Sequence, residues 1–316
     1  MRKYIAVDIG GTKIALGRFK EEGILEEKVV FPTRPERGYQ KILEEMVENI
    51  EKFLTPDVIA IGIGTAGPLD RIKGEIYSPP NLPGWNGVPL KKDLEEAFKI
   101  PVYMDNDANA ACLGEYYFGA GKGVKDLVYV TVSTGIGGGI IIDGKILHGR
   151  RDSAGEVGHQ TILPDGPLCN CGNKGCLEAL ASGTAIAKRA KEAIERGEDT
   201  ILLDWSKKEE ITAKHVRSAM LLGDKVATYI WNQAMEYLGI GIGNIITILS
   251  PQRIIIGGSV GLSGEDVILK IKEIVGQRVF LVPVDMVEIV PAQLGEDVGL
   301  YGAFSVALHE ITLKAT

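Results

Sequence analysis

The stretch "KYIAVDIGGTKIALGRF", Lys3 to Phe19, decides how the rest of the chain is read. An apolar run ends at Asp8, turns on Gly10 and Gly11, and resumes as a second apolar run, the pattern of a tight β-hairpin. The pattern returns in "DLVYVTVSTGIGGGIIIDGKI", Asp126 to Ile146, where an apolar strand again leads through a glycine-rich turn into another. Two such hairpins predict a duplicated core. Between them "GAGKGVK", Gly119 to Lys125, is rich in glycine and lacks periodicity, which marks it as a linker.

Other elements follow from periodicity. A third strand is expected near Ile24 to Phe31. In "YQKILEEMVENIEKFL", Ile42, Leu43, Met46, Ile50 and Phe53 recur at helical spacing. A strand "VIAIGIG" comes next, then a Pro/Gly/Asn-rich loop from Pro79 to Pro89, a short charged helix, a strand "PVYMD" and a helix starting near Asp107. The second half predicts helices over Ala179–Arg196, Lys225–Ile242 and Asp266–Val275, a strand "RIIIGGS", and a last helix over Val298–Glu310. Strands alternating with helices make the chain α/β.

Composition bounds the function. With 316 residues and 45% hydrophobic content, two cores are expected rather than one. The formal charge of -7, from 35 basic and 42 acidic side chains, gives no chain-wide attraction to nucleic acid or to an anionic membrane. The most apolar long window, Tyr237 to Leu249, is interrupted by glycines and Asn244 and is too short to span a bilayer. Four cysteines and no charged-then-apolar leader point to the cytoplasm.

One glycine turn can be merely steric, but two equivalent ones suggest a shared task. "DIGGTK" and "STGIGGG" would each present backbone N–H groups and a hydroxyl, Thr12 or Thr134, to a phosphate chain. That nominates Gly10, Gly11, Thr12 and Lys13, and Thr134, Gly135, Gly137 and Gly138, as nucleotide-binding. A P-loop is excluded, because neither Gly121-Lys122 nor Gly144-Lys145 is followed by Ser or Thr. "GIGTAG", Gly62 to Gly67, matches the dinucleotide fingerprint but runs into Pro68 instead of a helix, so it reads as a turn near a ligand. Asp8 closes an apolar strand, either as a hydrogen-bonded terminator or as a carboxylate that holds Mg²⁺ through water beside phosphates. The adjacent turn favours the second reading.

"DIGGT", "DNDAN" at Asp105 to Asn109, "STGIGGG", "EVGH" at Glu156 to His159, "CNCGNKGCLE" at Cys169 to Glu178 and "IIIGGS" at Ile254 to Ser259 stand in one order along the chain. Together they resemble the ROK family of sugar kinases and sugar-responsive repressors, from Ile5 to about Gly302. The loop "NLPGWNGVPL", Asn81 to Leu90, resembles the glucokinase branch. The resemblance implies an actin-like, ribonuclease-H-like fold in two α/β domains with an interdomain active-site cleft: an N-terminal domain of residues 1–118, rejoined by the C-terminal helix at about 298–316, and a C-terminal domain of residues 119–297. It implies ATP-dependent phosphorylation of a hexose, most like glucose, at its 6-hydroxyl, in a homodimer or homotetramer, and the charge balance and short apolar window add the expectation of no nucleic-acid and no membrane partner.

By the same resemblance Asp107 is the general base and Asn106 fixes neighbouring hydroxyls. A helix N-cap explains Asp107 as well, and Asp105 keeps that capping role. Glu156, His159 and Glu178 match positions that hydrogen-bond the hexose, with Gly67 and Asn81 in the same substrate set. Gly257 and Gly258 resemble the turn at the adenosine end, though such a pair is also an ordinary tight turn. For the cysteine cluster a disulfide, a metal and chance compete. His159, Cys169, Cys171 and Cys176 have the make-up of a closed structural zinc site, and the family carries this arrangement. Gly172 and Gly175 give the loop freedom to wrap an ion, and zinc on one ring nitrogen of His159 would aim the other at the sugar. Cys112, His148, His215 and His309 receive no role.

Three rivals remain. A sugar-sensing repressor would need a DNA-binding module ahead of the first hairpin, where only Met1 to Lys3 stand. A kinase for N-acetylmannosamine, N-acetylglucosamine, fructose or allose would share most motifs and differ in pocket shape. A catalytically silent protein is disfavoured by Asp8, Asn106, Asp107 and both glycine turns.

Overall fold

The computed structural model describes residues 1–77, 79 and 81–314, with Ala315 as backbone only. Pro80, part of the expected Pro79–Pro89 loop, lies outside the described residues. In chain order the elements are β1 (Lys3–Ile9), β2 (Lys13–Lys20), β3 (Leu25–Pro32), α1 (Tyr39–Phe53), β4 (Val58–Thr65), β5 (Leu69–Asp70), β6 (Glu75–Tyr77), β7 (Asn86–Val88), α2 (Leu90–Phe98), β8 (Val102–Asn106), α3 (Asp107–Phe118), β9 (Leu127–Val132), β10 (Ile136–Ile142) and β11 (Lys145–Ile146). They continue as α4 (Leu177–Ala181), α5 (Gly183–Glu195), α6 (Leu202–Ser206), α7 (Ala213–Leu221), α8 (Lys225–Leu249), β12 (Arg253–Gly257), α9 (Gly258–Gly261), α10 (Glu265–Arg278), β13 (Glu288–Pro291) and α11 (Val298–Ala315).

The duplication is visible in the sheets. One has the order β3-β2-β1-β4-β8 and another β11-β10-β9-β12-β13, so each runs 3-2-1-4-5 in its own strand count. In the first, β1 pairs antiparallel with β2 and parallel with β4, which in turn pairs parallel with β8. In the second, β12 runs parallel to both β9 and β13, and β10 pairs antiparallel with β11. A small antiparallel sheet, β5-β6-β7, follows β4.

By internal contacts the chain forms two compact units. One comprises residues 1–124, 139–154 and 293 onward, the other residues 125–138 and 155–292.

In the first unit, side-chain alternation along β1 explains its unbroken apolar run. Ile5, Val7 and Ile9 face one core with Ile42, Leu43, Met46, Ile50 and Phe53 of α1. Tyr4 and Ala6 face another, against Leu300, Ala303, Phe304 and Ala307 of α11. A strand buried on both faces must be apolar at every position rather than at alternate ones. Each large side chain so buried contributes about 1.5–3 kcal/mol. Close approach of α11 requires glycine: a Cβ on Gly62 would lie 1.9 Å from the Ala303 carbonyl oxygen, and one on Gly302 would lie 2.6 Å from the Ala110 carbonyl carbon.

In the second unit, the apolar window Tyr237–Leu249 is the C-terminal half of α8, a helix of 25 residues. Its glycines are contact points, Gly239 against Ile274 of α10 and Gly241 against Leu177 of α4. No helix among the described residues is long and apolar enough to cross a membrane. The helix expected over Ala179–Arg196 is two helices, α4 and α5, divided at Ser182, whose hydroxyl caps α5 by accepting from the Ala185 N–H at 3.1 Å. Helices α6 and α7 lie where no element was expected.

Candidate active site

In the first unit the polar residues gather at the carboxyl ends of adjacent parallel strands, where open α/β sheets bind ligands. Asp8 pairs in register with Gly64, Ile9 with Thr65, and Thr65 with Asn106. The strand ends β1, β4 and β8 therefore hold Asp8, the Gly64–Gly67 turn and the Asn106–Asp107 pair together. Gly67 sits close to Asn106, since a Cβ there would lie 3.3 Å from the Asn106 amide nitrogen.

The start of α3 differs from expectation. Asn106 is the N-cap: its side-chain oxygen accepts from the Ala108 N–H at 2.9 Å. Asp107 is the first helical residue, is exposed, and also accepts from the Ala108 N–H at 2.8 Å. Asp105 does not cap the helix. Its side chain is turned into the interior, 3% of the residue being exposed, and it bonds His148 and Asn109.

Asp8 is half-buried, and desolvation first, then the charge of Asp107, pushes its carboxyl up to about 6, with Lys13 opposing. It lies against Gly299 in the first turn of α11, where a Cβ would fall 2.2 Å from its Oδ2. The β1–β2 turn is tight, with the Gly10 N–H donating to the Lys13 carbonyl at 3.0 Å and the Thr33 hydroxyl donating to the Gly10 carbonyl at 2.6 Å. Thr12 and Lys13 are exposed on it. Asn81 rests on Gly11, whose missing Cβ would lie 2.6 Å from the Asn81 Cβ. A side chain at position 11 would displace the turn or the Asn81 loop. A compensating charge suits this set: two neighbouring carboxylates, one half-buried and one exposed, beside a turn with exposed Thr12 and Lys13, which is the donor chemistry of a Mg²⁺–phosphate site.

The second unit repeats the pattern with other side chains. The β9–β10 turn closes with the Ser133 N–H donating to the Gly135 carbonyl at 2.9 Å, and it leaves Thr134 exposed. Helix α5 starts against this turn. The Gly183 N–H donates to the Ser133 carbonyl at 2.7 Å, and the Thr184 hydroxyl donates to the Thr134 carbonyl at 2.9 Å. A helix N-terminus beside a glycine turn favours an anion. Glu178 accepts from the Ile136 N–H at 2.9 Å, and a Cβ on Gly135 would lie 2.5 Å from its Oε2. Gly138 packs on Val157 and on the Tyr129 carbonyl.

A pocket of about 910 Å³ opens beside Thr134, walled by Thr184 and Lys188 of α5, Lys214 and Arg217 of α7, and Ser259 of α9. Gly257 and Gly258 lead into that wall. Gly258 has φ 83°, and a Cβ there would lie 2.4 Å from the Val132 carbonyl oxygen; Ser259 then meets Ser133, hydroxyl to hydroxyl, at 3.0 Å. The volume suits a nucleotide-sized ligand. Sequence reasoning missed α5 and α7 as pocket walls, although "SGT" at Ser182–Thr184 carried a cap signal.

His159, Cys169, Cys171 and Cys176 converge, their ligand atoms all within 4.8 Å of one another. Cys169 Sγ lies 3.6 Å from His159 Nδ1, and Cys171 Sγ 3.6 Å from Cys176 Sγ. Ligands about 2.0–2.3 Å from a tetrahedral ion stand roughly 3.5–3.8 Å apart, so the set has the spacing of an ion cage. The loop needs both its glycines: Gly172 has φ 90° and Gly175 φ 68°. Burial pushes the Cys169 thiol up, and the Cys176 thiol up to about 12, whereas a backbone hydrogen bond at Asn173 pulls the exposed Cys171 thiol down; a bound metal requires all three as thiolates. His159 turns Nε2 outward, 3.8 Å from the Glu156 carboxylate.

Comparison with known proteins identifies the family and the fold. The family model described as ROK family matches residues 4–310. A glucokinase of Halalkalibacterium halodurans is 40% identical over 309 residues, which is 95% of this chain and 93% of the other. A crystal structure of a ROK hexokinase from Thermus thermophilus superposes with a TM-score of 0.85 at 37% identity, covering 98% of this chain and 99% of that one. A ROK family glucokinase from Streptomyces griseus, in complex with glucose and AMPPNP, gives a TM-score of 0.79 at 36% identity, with 96% and 98% covered. Their fold is the actin-like one that the paired 3-2-1-4-5 sheets express. With that fold, the two glycine turns and the His-Cys cluster in place, the chain belongs to the ROK family.

Proposed function

We propose that this protein transfers the γ-phosphoryl group of ATP to the 6-hydroxyl of a hexose, glucose by preference, with Asp107 as general base. The observation that carries the reading is an exposed carboxylate on the first residue of α3, at the end of a parallel sheet, beside the half-buried Asn106 and the Gly67 turn. The first unit contributes the groups that act on the acceptor. Asp107 takes the proton as the sugar oxygen bonds to the γ-phosphorus and the bond to the β-phosphate oxygen breaks, leaving ADP. Asn106, Asn81 and Gly67 orient the sugar hydroxyls. Asp8 would hold Mg²⁺ through water, with Gly10, Gly11, Thr12 and Lys13 facing phosphate. Mg²⁺, when bound, shields phosphate charge during transfer.

The second unit contributes Glu156, His159 and Glu178 to the hexose, and Thr134, Gly135, Gly137, Gly138 and the pocket wall after Gly257 and Gly258 to the nucleotide. His159, Cys169, Cys171 and Cys176 would hold a structural zinc ion. With all four positions taken by protein, zinc supplies architecture rather than water activation. Its hold on Nδ1 fixes the ring so that Nε2 is the polar edge left for sugar. Reduced cysteines and an ATP substrate fit a cytosolic location, and the family resemblance supports a homo-oligomer.

A coupled assay over glucose, mannose, fructose, allose and the N-acetylated hexosamines tests the reading, with metal content measured on the same sample. Highest kcat/KM on glucose is expected, and its loss in Asp107→Asn. Highest activity on an N-acetylated sugar overturns the glucose assignment, and full turnover in a folded Asp107→Asn overturns the base.

A further inference from the structure

The Asp105 carboxylate, 3% exposed as a residue, answers to three donors. Its Oδ1 accepts from the Asn106 backbone N–H at 2.8 Å and from the Asn109 side-chain amide at 2.9 Å. Its Oδ2 meets His148 Nε2 at 2.6 Å. A carboxylate only accepts, so Nε2 carries the hydrogen. The segment that delivers His148 is pinned at both ends. The Ala154 N–H donates to the His148 carbonyl at 3.0 Å. Asp152 accepts from the Arg71 backbone N–H and Nε, both at 3.1 Å, and Arg71 also donates to Glu310 of α11 at 3.0 Å. Between the pins the backbone is left-handed at Gly149, Arg151 and Asp152, with φ of 65°, 57° and 55°. Arg resists that conformation more than Asp does, and at Arg151 it persists where the surroundings over-determine it.

We propose that His148 is a positioning residue for phosphoryl transfer: by donating to Asp105 it fixes the Asn106 backbone, and with it the turn from which Asn106 and Asp107 project. This rests on Asp107 being the base. Without the donor, Asp105 is left buried and short of a partner, and relief comes by rotating its carboxylate away from the Asn106 N–H. The base then shifts relative to the hydroxyl it must deprotonate, and small misplacements of reacting groups are costly to rate.

The test compares His148→Gln, whose amide keeps a donor near the Nε2 position, with His148→Met, which has similar length and no donor. Each is assayed beside Asp107→Asn below its melting temperature. In the Met variant kcat should fall tenfold or more, toward about 10²-fold, while KM for ATP holds, and Gln should restore most of the loss. A purely structural histidine would lower the melting temperature and leave kcat alone. If Met fails to fold, Asp105→Asn, which keeps the volume and withdraws the charge facing His148, is read in its place and should lower kcat at constant KM for ATP. Wild-type kcat in either stand-in, with Asp107→Asn inactive, overturns the positioning role and leaves the base standing. An active Asp107→Asn overturns both.

Discussion

The charge of Asp107 bears on Asp8: together with burial, which is the larger cause, it holds the Asp8 carboxyl at about 6 against an ordinary value of 3.8. The folded chain thus binds a proton here more tightly than the unfolded chain does, so stability from this group falls as pH rises. The loss begins near the unfolded value, about 4, and is complete above about 6. A shift of this size corresponds to something on the order of 3 kcal/mol. Melting of the metal-free, nucleotide-free protein across that window should show the decline, and Asp8→Asn should flatten it. An unchanged slope in Asp8→Asn assigns the decline to other groups.

Replacing Asp107 by Asn removes a like charge from Asp8. The variant should melt higher than wild type at neutral pH, by an amount matching about 1 kcal/mol, while losing turnover. Calorimetry and a kinase assay on one preparation check both halves. A lower melting temperature would mean that the Asp107 bond to the Ala108 N–H outweighs the repulsion.

Removing the metal should be felt in sugar binding before phosphoryl transfer. Cys171→Ser leaves His159, Cys169 and Cys176 an incomplete set, so bound zinc measured by mass spectrometry should drop from about one per chain. KM for glucose should rise about tenfold or more as the His159 ring loses its anchor. A zinc-free protein with unchanged KM for glucose would remove the ion from sugar recognition.

Gly11→Ala tests the contact between the β1–β2 turn and Asn81. The added methyl would lie 2.6 Å from the Asn81 Cβ and 2.9 Å from its carbonyl oxygen, so turn and loop must part. A loss of about 10²-fold in kcat/KM is expected, with circular dichroism unchanged. Near wild-type kinetics would show that the loop relaxes without cost.

Ala187→Phe narrows the pocket beside Thr134. KM for ATP should rise severalfold, while glucose binding followed by intrinsic fluorescence stays as in wild type. Equal loss of both ligands would deny that the pocket serves the nucleotide alone.

Much of this fold is legible in the sequence. Period-two apolar runs broken by glycine marked both hairpins, and the five apolar positions of α1 are the five it buries. The His-Cys cluster was legible because its ligands are close in sequence as well as in space. The Asp105–His148 pair was not, since partners 43 positions apart leave no local pattern. Sequence alone puts Asp105 among the helix caps because Asp and Asn are equally good caps, and only geometry separates them: Asn106 accepts from the Ala108 N–H and Asp105 turns into the interior. Helices α6 and α7 have no counterpart in the sequence reading because they are short, 5 and 9 residues. The break between α4 and α5 hid in a stretch whose composition suits one long helix.

Helix α11 supplies Leu300, Ala303, Phe304 and Ala307 to one face of the first sheet, although that sheet's last strand, β8, ends at Asn106. A nascent chain on the ribosome therefore carries a half-covered sheet through the synthesis of nearly two hundred further residues, roughly 10 s or more at ordinary elongation rates. Expression truncated just before Val298 should yield aggregates that chaperone co-production rescues poorly, because the missing cover is covalent sequence and not time.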